Sequence, residues 1–287
     1  MTRVSPPQPT APPSRAGWGR WVKRIFITAL VAILLYHGSI VLRILWYQTH
    51  NPTVTALMRQ REDEARARGQ TPVRRQTWVP YERISPHLVR AVLAGEDSRF
   101  FEHQGFDWVE IQKAIDENIE AGEFRRGAST VTQQLAKNLF LSTAKTPLRK
   151  AHEALITWEM ENILSKRRIL EIYLNVIEWG DGVYGAEAAA RHYFNTSAAS
   201  LTPDQAAFLS AIIPSPRGKY NPATNPRRVQ RRKRIILRLM RGIVIPKDLS
   251  QLHRSSTEIA HSAPSPAKPL VSYLWCRQRL INNFAAP

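Results

Sequence analysis

The chain has 287 residues, which is long enough for one large domain or two small ones with an ample core. Its formal net charge of +18 predicts an anionic partner, and a nucleic acid, an anionic membrane or a phosphorylated substrate would each suit it. Cys276 is the only cysteine, so an internal disulfide is excluded.

An N-terminal membrane anchor is predicted over residues 25–46. As a helix this apolar stretch would be about 33 Å long, enough to cross a hydrocarbon core of about 30 Å. His37 and Arg43 weaken the prediction, although Arg43 lies near the far end, where its side chain can reach the interface. The flank before the stretch is basic and the first acidic residue is Glu62, which places the N-terminus in the cytoplasm. A cleaved signal peptide is the alternative, but no small-x-small cleavage site follows.

Composition divides the remainder of the chain. Residues 1–24 contain several prolines and read as a disordered cytoplasmic leader. Residues 47–80 are predicted to form a polar, partly helical stalk. Residues 81–245 show mostly helical periodicity, with no convincing alternating strand, and are predicted to form the main folded domain. Residues 246–287 are an extension interrupted by proline and serine, and we assign it no role.

The first candidate block follows an apolar helix. Ser85 before Pro86 is typical of a helix N-cap followed by proline at the first helical position. Val92 and Glu96 are spaced by four, so Glu96 ends the apolar stripe of this helix. A carboxylate at the edge of an apolar surface has a raised pKa, which suits a general base. The equally weighted alternative is a carboxylate that caps the next segment or pairs with Arg99.

The second block begins another helix. Thr130 and Gln133 have the spacing of a capping box, so Ser129 and Thr130 are predicted to open a helix whose free N–H groups can face an anion. Lys137 lies one turn after Gln133 and would add a positive charge to the same face. The alternative is an ordinary capped helix with an exposed lysine.

A third helix is predicted to start at Thr146, with Pro147 in its first turn. Arg149, Lys150 and Glu153 follow within two turns. Arg149 and Glu153 are spaced by four, and in isolation this spacing favours a surface ion pair worth a few tenths of a kcal/mol.

Two further segments favour structural roles. Residues 166–175 predict a helix whose apolar stripe, including Tyr173, belongs to the core. The glycines within 179–185 predict a tight loop that a ligand could approach closely, but their spacing excludes a dinucleotide-binding motif. His103 and His192 lack metal-ligand spacing, so no metal site is predicted.

The basic run 227–234 admits a nucleic-acid-binding interpretation. Its charges lie on a helix that also carries large apolar residues, which favours a solvated face near anionic lipid or a closing helix of the domain. The predicted orientation of the anchor places the run outside the cytoplasm, away from nucleic acid.

Together these blocks resemble the glycosyltransferase domain of peptidoglycan synthases, family 51, which polymerises lipid II. The resemblance covers about residues 71–241. It rests on five motifs in order: 96–105, 127–138, 149–153, 166–175 and 206–222. No Ser-x-x-Lys block of a penicillin-binding domain follows, so the chain resembles the monofunctional, membrane-anchored type.

The resemblance implies a mainly α fold: a lysozyme-like, two-lobed helical domain with an N-terminal transmembrane helix. The smaller lobe would dip into the membrane and include residues between the first two motifs. Glu96 would deprotonate the 4-hydroxyl of the acceptor N-acetylglucosamine. That oxygen would attack the anomeric carbon of the growing chain and displace undecaprenyl diphosphate, so that an α-linked donor gives a β-1,4 bond by inversion.

The resemblance also assigns roles to other residues. Lys137, Arg149 and Lys150 would stabilise the departing diphosphate, and Glu153, as the second essential carboxylate, would orient these cations, a metal ion or the substrate. The remaining residues assigned to substrate binding are Asp97, Phe100, His103, Ser129, Thr130, Gln133, Gln134, Asn138 and Lys145. Family members commonly carry arginine at the position of Lys145; the lysine keeps the charge but not the bidentate geometry, which puts the affinity for diphosphate in doubt.

The sequence establishes no cofactor, and a Mg²⁺ or Mn²⁺ ion bound to the substrate diphosphate would add to these positive charges. Expected partners are lipid II, the growing glycan chain, an anionic membrane and other cell-wall synthesis and division proteins, with no nucleic acid. The expected location is the cell inner membrane, with the catalytic domain periplasmic. Two alternatives remain. A lysozyme-like lytic enzyme would have little use for cationic helix starts, and a catalytically silent scaffold would not need Glu96 and Glu153.

Overall fold

The computed structural model describes residues 16–123, 127–144 and 146–246. Most of the predicted leader, Lys145 and nearly all of the C-terminal extension therefore lie outside the described residues. The α-helices are α1 (Ala16–Trp46), α2 (Ala56–Ala67), α3 (Pro86–Glu96), α4 (Trp108–Ala121), α5 (Val131–Phe140), α6 (Pro147–Ile163), α7 (Lys166–Val176), α8 (Ala186–Phe194), α9 (Pro203–Ile212) and α10 (Pro226–Leu239). Short 3-10 turns cover Tyr81–Arg83, Ala198–Ser200 and Met240–Gly242. The mainly helical fold is confirmed.

Three helix starts have the predicted local chemistry. The side chains of Ser85, Thr130 and Thr146 each accept a hydrogen bond from a backbone N–H in the first turn of α3, α5 and α6. Proline occupies the first turn of α3 and α6, where its missing N–H costs nothing. The sequence predicted these helix starts correctly because capping depends only on residues within one turn.

A small sheet, which the sequence did not predict, joins the segment before α3 to the segment between α7 and α8. Strand β1 (Arg75–Gln76) runs parallel to β3 (Val183–Tyr184), which is antiparallel to β2 (Glu178–Gly180). These strands are too short to show the alternation from which a strand is predicted.

The glycines of the hairpin serve backbone packing. Gly182 and Gly185 have φ values of +67° and +82°. A Cβ on Gly182 would lie 2.4 Å from the carbonyl oxygen of Val73, and one on Gly185 would lie 2.5 Å from that of Asn175. The sequence suggested that a ligand could approach this glycine loop closely. In the structure the backbone of Val73 and Asn175 makes that approach instead.

The N-terminal helix divides into a free part and a packed part. Residues Trp21–Trp46 form a helix long and apolar enough to cross a membrane, and its most apolar 18-residue stretch has a mean hydropathy of 2.3. Large apolar side chains are exposed in the first part, whereas Ile40 and Ile44 are buried. His37 Nε2 lies 2.6 Å from Glu159 Oε1 on α6. The second half of α1 is therefore packed on the domain, which the hydropathy pattern alone could not indicate.

The prediction of a stalk over residues 47–80 is wrong. Met58 on α2 is fully buried, and Arg61 on the same helix pairs with Glu178 of β2 at 3.1 Å. Further along, the backbone N–H and carbonyl of Val79 are both bonded to the side chain of Asn175. The segment is polar overall because α2 buries one face and exposes the other, so composition concealed its role in the core.

Close packing of α3, α9 and α10 fixes the end of α3. The Ser210 hydroxyl of α9 donates to the Ala91 carbonyl at 2.7 Å. A Cβ on Gly95 would lie 2.6 Å from Ser210 Oγ, so only glycine permits this approach. The last residue of α3, Glu96, is thereby held against α10.

Candidate active site

Glu96 is a buried carboxylate with two hydrogen-bonded partners. Its side chain is 8% exposed. Gln134 of α5 donates to Oε2 and Arg232 of α10 donates to Oε1, both at 2.9 Å. The alternative pairing with Arg99 is wrong, because that guanidinium contacts Glu102 and Asp107.

The environment of Glu96 favours its protonated form. Burial raises the pKa of this carboxyl group, the positive charge of Arg232 and the hydrogen bond from Gln134 lower it, and the charge of Asp97 raises it again. The net direction is upward, as the position at the end of the apolar stripe predicted. A carboxylate with a raised pKa binds a proton more strongly than an exposed glutamate does.

The Gln134 amide is oriented by a second buried group. Tyr173 on α7 donates its hydroxyl hydrogen to Gln134 Oε1 at 2.9 Å. Burial and the nearby negative charges raise the pKa of Tyr173 well above its usual value, so the phenol stays protonated and can donate. Because the amide oxygen is occupied, its nitrogen faces Glu96. Tyr173 is a core residue as predicted, but its hydroxyl also positions the site.

The start of α5 binds an anion from within the protein. The backbone N–H of Val131 donates to Asp97 Oδ2 at 2.9 Å, and His103 Nε2 donates to Asp97 Oδ1 at the same distance. Thr130 and Gln133 complete the capping box reciprocally. The expectation that the helix start faces a substrate anion is therefore corrected, since Asp97 already occupies that position.

Several predicted substrate-binding residues support the site from behind. Phe100 is 1% exposed and packs against Phe101 and the Lys166 ammonium group, so it is a core residue. Gln133 is buried in the cap, and the His103 side chain is largely buried beside Asp97. These side chains fix the position of α3 relative to α5.

Cationic residues gather around Glu153 on α6. Its carboxylate is 4% exposed; Oε2 accepts from Arg149 Nη1 at 2.5 Å, and Oε1 accepts from Lys150. The local interpretation as a surface ion pair is wrong, because Glu153 is buried. Burial, together with the charges of Arg149 and Lys150, lowers the pKa of Lys137, whereas Glu153 raises it. Glu153 therefore helps to keep Lys137 protonated.

A cavity of about 380 Å³ is lined by both Glu96 and Lys137, whereas Arg149, Lys150 and Glu153 do not line it. Five predicted residues line it: Glu96, Ser129, Gln134, Lys137 and Asn138. Its other side is formed by Arg61, Glu178 and Arg217, which the sequence did not single out. Arg61 pairs with Glu178, and Arg217 lies 3.8 Å from the same carboxylate.

A second cavity of about 300 Å³ lies beside Glu96. It shares Glu96 and Ser129 with the first cavity and adds Asp97, Asp107 and Arg232. Glu96 thus borders two cavities, an arrangement that gives room for two reacting groups.

Asp97, His103 and Asp107 form a group whose potential ligand atoms lie within 4.8 Å of one another. Asp97 is already bonded to Val131 and His103, and Asp107 accepts from the backbone of Glu110 as the N-cap of α4. These bonds account for the group as a brace between loops and helix starts, and we assign no metal to it.

Comparison with known proteins identifies a family and close relatives. A family model described as Transglycosylase matches residues 63–241. The chain is 51% identical over 229 residues to a biosynthetic peptidoglycan transglycosylase of Methylobacillus flagellatus, covering 78% of this chain and 100% of the relative. Proteins of the same name from Nitrosospira multiformis and Thiobacillus denitrificans are each 49% identical, covering 79% of this chain and 98% of each relative.

Proposed function

This chain belongs to the transglycosylase family and is a peptidoglycan glycosyltransferase, and we propose that it polymerises lipid II into β-1,4-linked glycan strands. The observation that carries the proposal is the placement of a buried carboxylate, Glu96, and a partly buried cation, Lys137, on one cavity. Transfer of a glycosyl group from a diphosphate needs a base on the attacking oxygen and positive charge on the leaving group.

Glu96 would act as the general base. The proton of the acceptor 4-hydroxyl moves to the Glu96 carboxylate while the oxygen forms a bond to the anomeric carbon of the donor. The bond from that carbon to the diphosphate breaks, and its electron pair leaves with undecaprenyl diphosphate. Attack opposite the leaving group inverts the α-linked donor to a β product. The raised pKa of Glu96 and the two cavities that it borders support this role.

Lys137 would stabilise the charge that develops on the diphosphate. Arg149 and Lys150 lie close enough to Lys137 to influence its pKa, so the same positive field reaches the cavity. Glu153 would fix the side chains of Arg149 and Lys150 through direct ion pairs. A divalent ion that arrives with the substrate diphosphate would add to this field, and we propose Lys145 as a further contact on the family resemblance alone.

A lytic activity fits the site less well. Hydrolysis of a glycosidic bond needs a protonated carboxyl group to assist the leaving sugar oxygen. The raised pKa of Glu96 would suit such an acid as well as a base, so the pKa does not separate the two activities and the surrounding cations do. The cations around Glu153 would have no developing diphosphate charge to stabilise.

We further propose that the enzyme works at the outer face of the cell inner membrane, anchored by α1. The exposed side chains of Trp108, Ile115 and Ile119 on α4 form an apolar face suited to the membrane boundary. This arrangement would give the cavity direct access to lipid-linked substrates and bring the domain near other cell-wall synthesis and division proteins.

The direct test is polymerisation of labelled lipid II by the purified full chain in detergent, with and without Mg²⁺ or Mn²⁺. We expect glycan ladders on a gel that disappear on digestion with lysozyme. A well-folded protein that gives no polymer under any of these conditions would favour the scaffold role, and shortening of preformed glycan would favour the lytic role.

Arg232→Gln is expected to move the acid limb of the pH–rate profile to higher pH. The base must be ionised, so the rate rises as pH passes upward through the pKa of Glu96. Arg232 lowers that pKa, and removing its charge raises it further. The profile of kcat/KM for lipid II polymerisation measures the shift.

The exposed neighbour Arg231 provides the matched control, because Arg231→Gln removes an equal charge without a bond to Glu96. Arg232→Lys should shift the limb less than Arg232→Gln. An unchanged acid limb in Arg232→Gln would show that the guanidinium does not tune the base.

A further inference from the structure

A further cavity, larger than the two that Glu96 borders, lies between the C-terminal end of α1 and the helices α2 and α5. Its volume is about 1050 Å³, and it shares no lining residue with the 380 Å³ cavity. Apolar and aromatic side chains form much of its wall, among them Tyr36, Trp46, Leu139 and Phe140. We call this cavity the α1–α2 groove.

Two arginines give the groove an uncompensated positive charge. Arg43 lies in the last turn of α1 and Arg59 on α2, and both line the groove. Both are close enough to Tyr47 to lower its pKa, against the stronger effect of burial, so they converge on one region. Neither guanidinium forms an ion pair with any residue that the structure describes.

The acidic residues of the groove are already engaged elsewhere. Asp63 pairs with Arg66 at 2.8 Å. Glu64 pairs with Arg61 at 3.0 Å and with Arg217 at 3.4 Å. Arg43 and Arg59 are therefore left as the cationic groups of the groove without a counter-charge.

The position of the groove indicates which molecule could supply the missing negative charge. The apolar span Trp21–Trp46 ends at the groove, and Trp46 and Tyr47 are residue types that prefer the boundary between hydrocarbon and headgroups. An arginine in the last turn of such a span lies at the depth of the lipid phosphates. The apolar wall beside it faces the depth of the lipid chains.

We propose that the α1–α2 groove binds one anionic glycerophospholipid of the surrounding membrane. The phosphate lies between Arg43 and Arg59, and a hydrocarbon chain packs on Tyr36, Leu139 and Phe140. The proposal requires α1 to sit in a membrane but does not depend on the chemistry assigned to Glu96. We assign this lipid to a site separate from that of the substrate, since the groove and the 380 Å³ cavity share no lining residue.

Native mass spectrometry of the full chain in detergent tests this site, with dioleoyl phosphatidylglycerol and dioleoyl phosphatidylcholine as probes. We expect one phosphatidylglycerol to be retained in preference to phosphatidylcholine. In the double variant Arg43→Gln, Arg59→Gln the apparent affinity should fall about thirtyfold, since each basic side chain near an anionic lipid contributes about fivefold. The variant Arg43→Lys, Arg59→Lys should keep most of the binding.

The double variant Arg83→Gln, Arg238→Gln is the matched control, because both arginines are exposed and lie outside the groove. It should retain phosphatidylglycerol as the wild type does, and Glu96→Gln should do so as well. Equal retention of the two lipids, or equal binding by the Arg43/Arg59 and Arg83/Arg238 variants, would overturn the proposal. So would displacement of the lipid by undecaprenyl phosphate at a stoichiometry of one, because the groove would then belong to the substrate.

Discussion

Glu96→Gln is expected to reduce lipid II polymerisation by about 10²- to 10⁴-fold, the usual contribution of a positioned general base. Glutamine keeps the size of the side chain and an oxygen that can accept from Arg232, but it cannot take the proton of the acceptor hydroxyl. Lipid II binding should change little. The melting temperature should fall modestly, because the new amide nitrogen faces the amide nitrogen of Gln134 and one buried hydrogen bond is lost. Gel-resolved product formation, binding and thermal unfolding measure the three quantities.

Glu178→Gln is a demanding control for this result. Glu178 lines the same cavity, and burial raises the pKa of its carboxyl group as it does for Glu96. Its partners are Arg61 and Arg217, however, and it has no contact with Gln134 or Arg232 in the described part of the chain. We expect a loss smaller than tenfold. Near-normal activity of Glu96→Gln, or an equal loss in both variants, would contradict the assignment of the base.

Glu96 could be predicted from the sequence because its signal is local. Val92 and Glu96 lie on one face of α3, so the apolar stripe and the carboxylate at its end can be read within a few turns. The direction of its pKa shift follows from that position. Its partner Arg232 could not be predicted, because 136 residues separate the two and a run of arginines on α10 offers several equivalent candidates.

The family resemblance located the site, but it did not distinguish residues that line the cavities from residues that support them. Phe100 and Gln133 belong to the motifs, yet the structure buries them behind the two cavities, whereas Asp97 and Thr130, although buried, line the smaller one. The residues of a motif include those that contact the substrate. They also include helix caps and buried aromatic side chains that keep the site in shape. Only tertiary structure distinguishes these roles.

The segment before the domain shows the opposite error. Arg61 lines the cavity, although composition placed it in a stalk. Helix α2 exposes one face and buries Leu57 and Met58, and its ion pair with Glu178 spans 117 residues of sequence. Average polarity cannot reveal such a helix, because the decisive contacts are made with distant elements.

Glu153→Gln is expected to lower polymerisation by about 10²-fold and to move the alkaline limb of the pH–rate profile to lower pH. Lys137 must be protonated to stabilise the diphosphate, so activity falls as pH rises through its pKa. That pKa is already lowered by burial, and Glu153 counteracts the shift. Without the carboxylate, Lys137 loses its proton at a lower pH.

Removal of a negative charge could also strengthen binding of the anionic substrate, so two effects compete. Arg149 and Lys150 are fixed by bonds to Glu153, and without these bonds neither side chain is held in one position. Effective catalysis needs cations positioned for the charge that develops in the transition state, which a looser positive field does not provide. We therefore expect kcat to fall while KM stays the same or decreases.

Glu161→Gln separates positioning from simple loss of stability. Glu161 is equally buried on the same helix and pairs with Lys166 at 2.9 Å, so its replacement should destabilise the fold to a similar degree. It should leave the alkaline limb where it is, because Glu161 is not among the groups that influence Lys137. If both variants lower activity in proportion to their melting temperatures with unshifted profiles, Glu153 only stabilises the fold. A shifted limb confined to Glu153→Gln would establish that this carboxylate maintains the charge on Lys137.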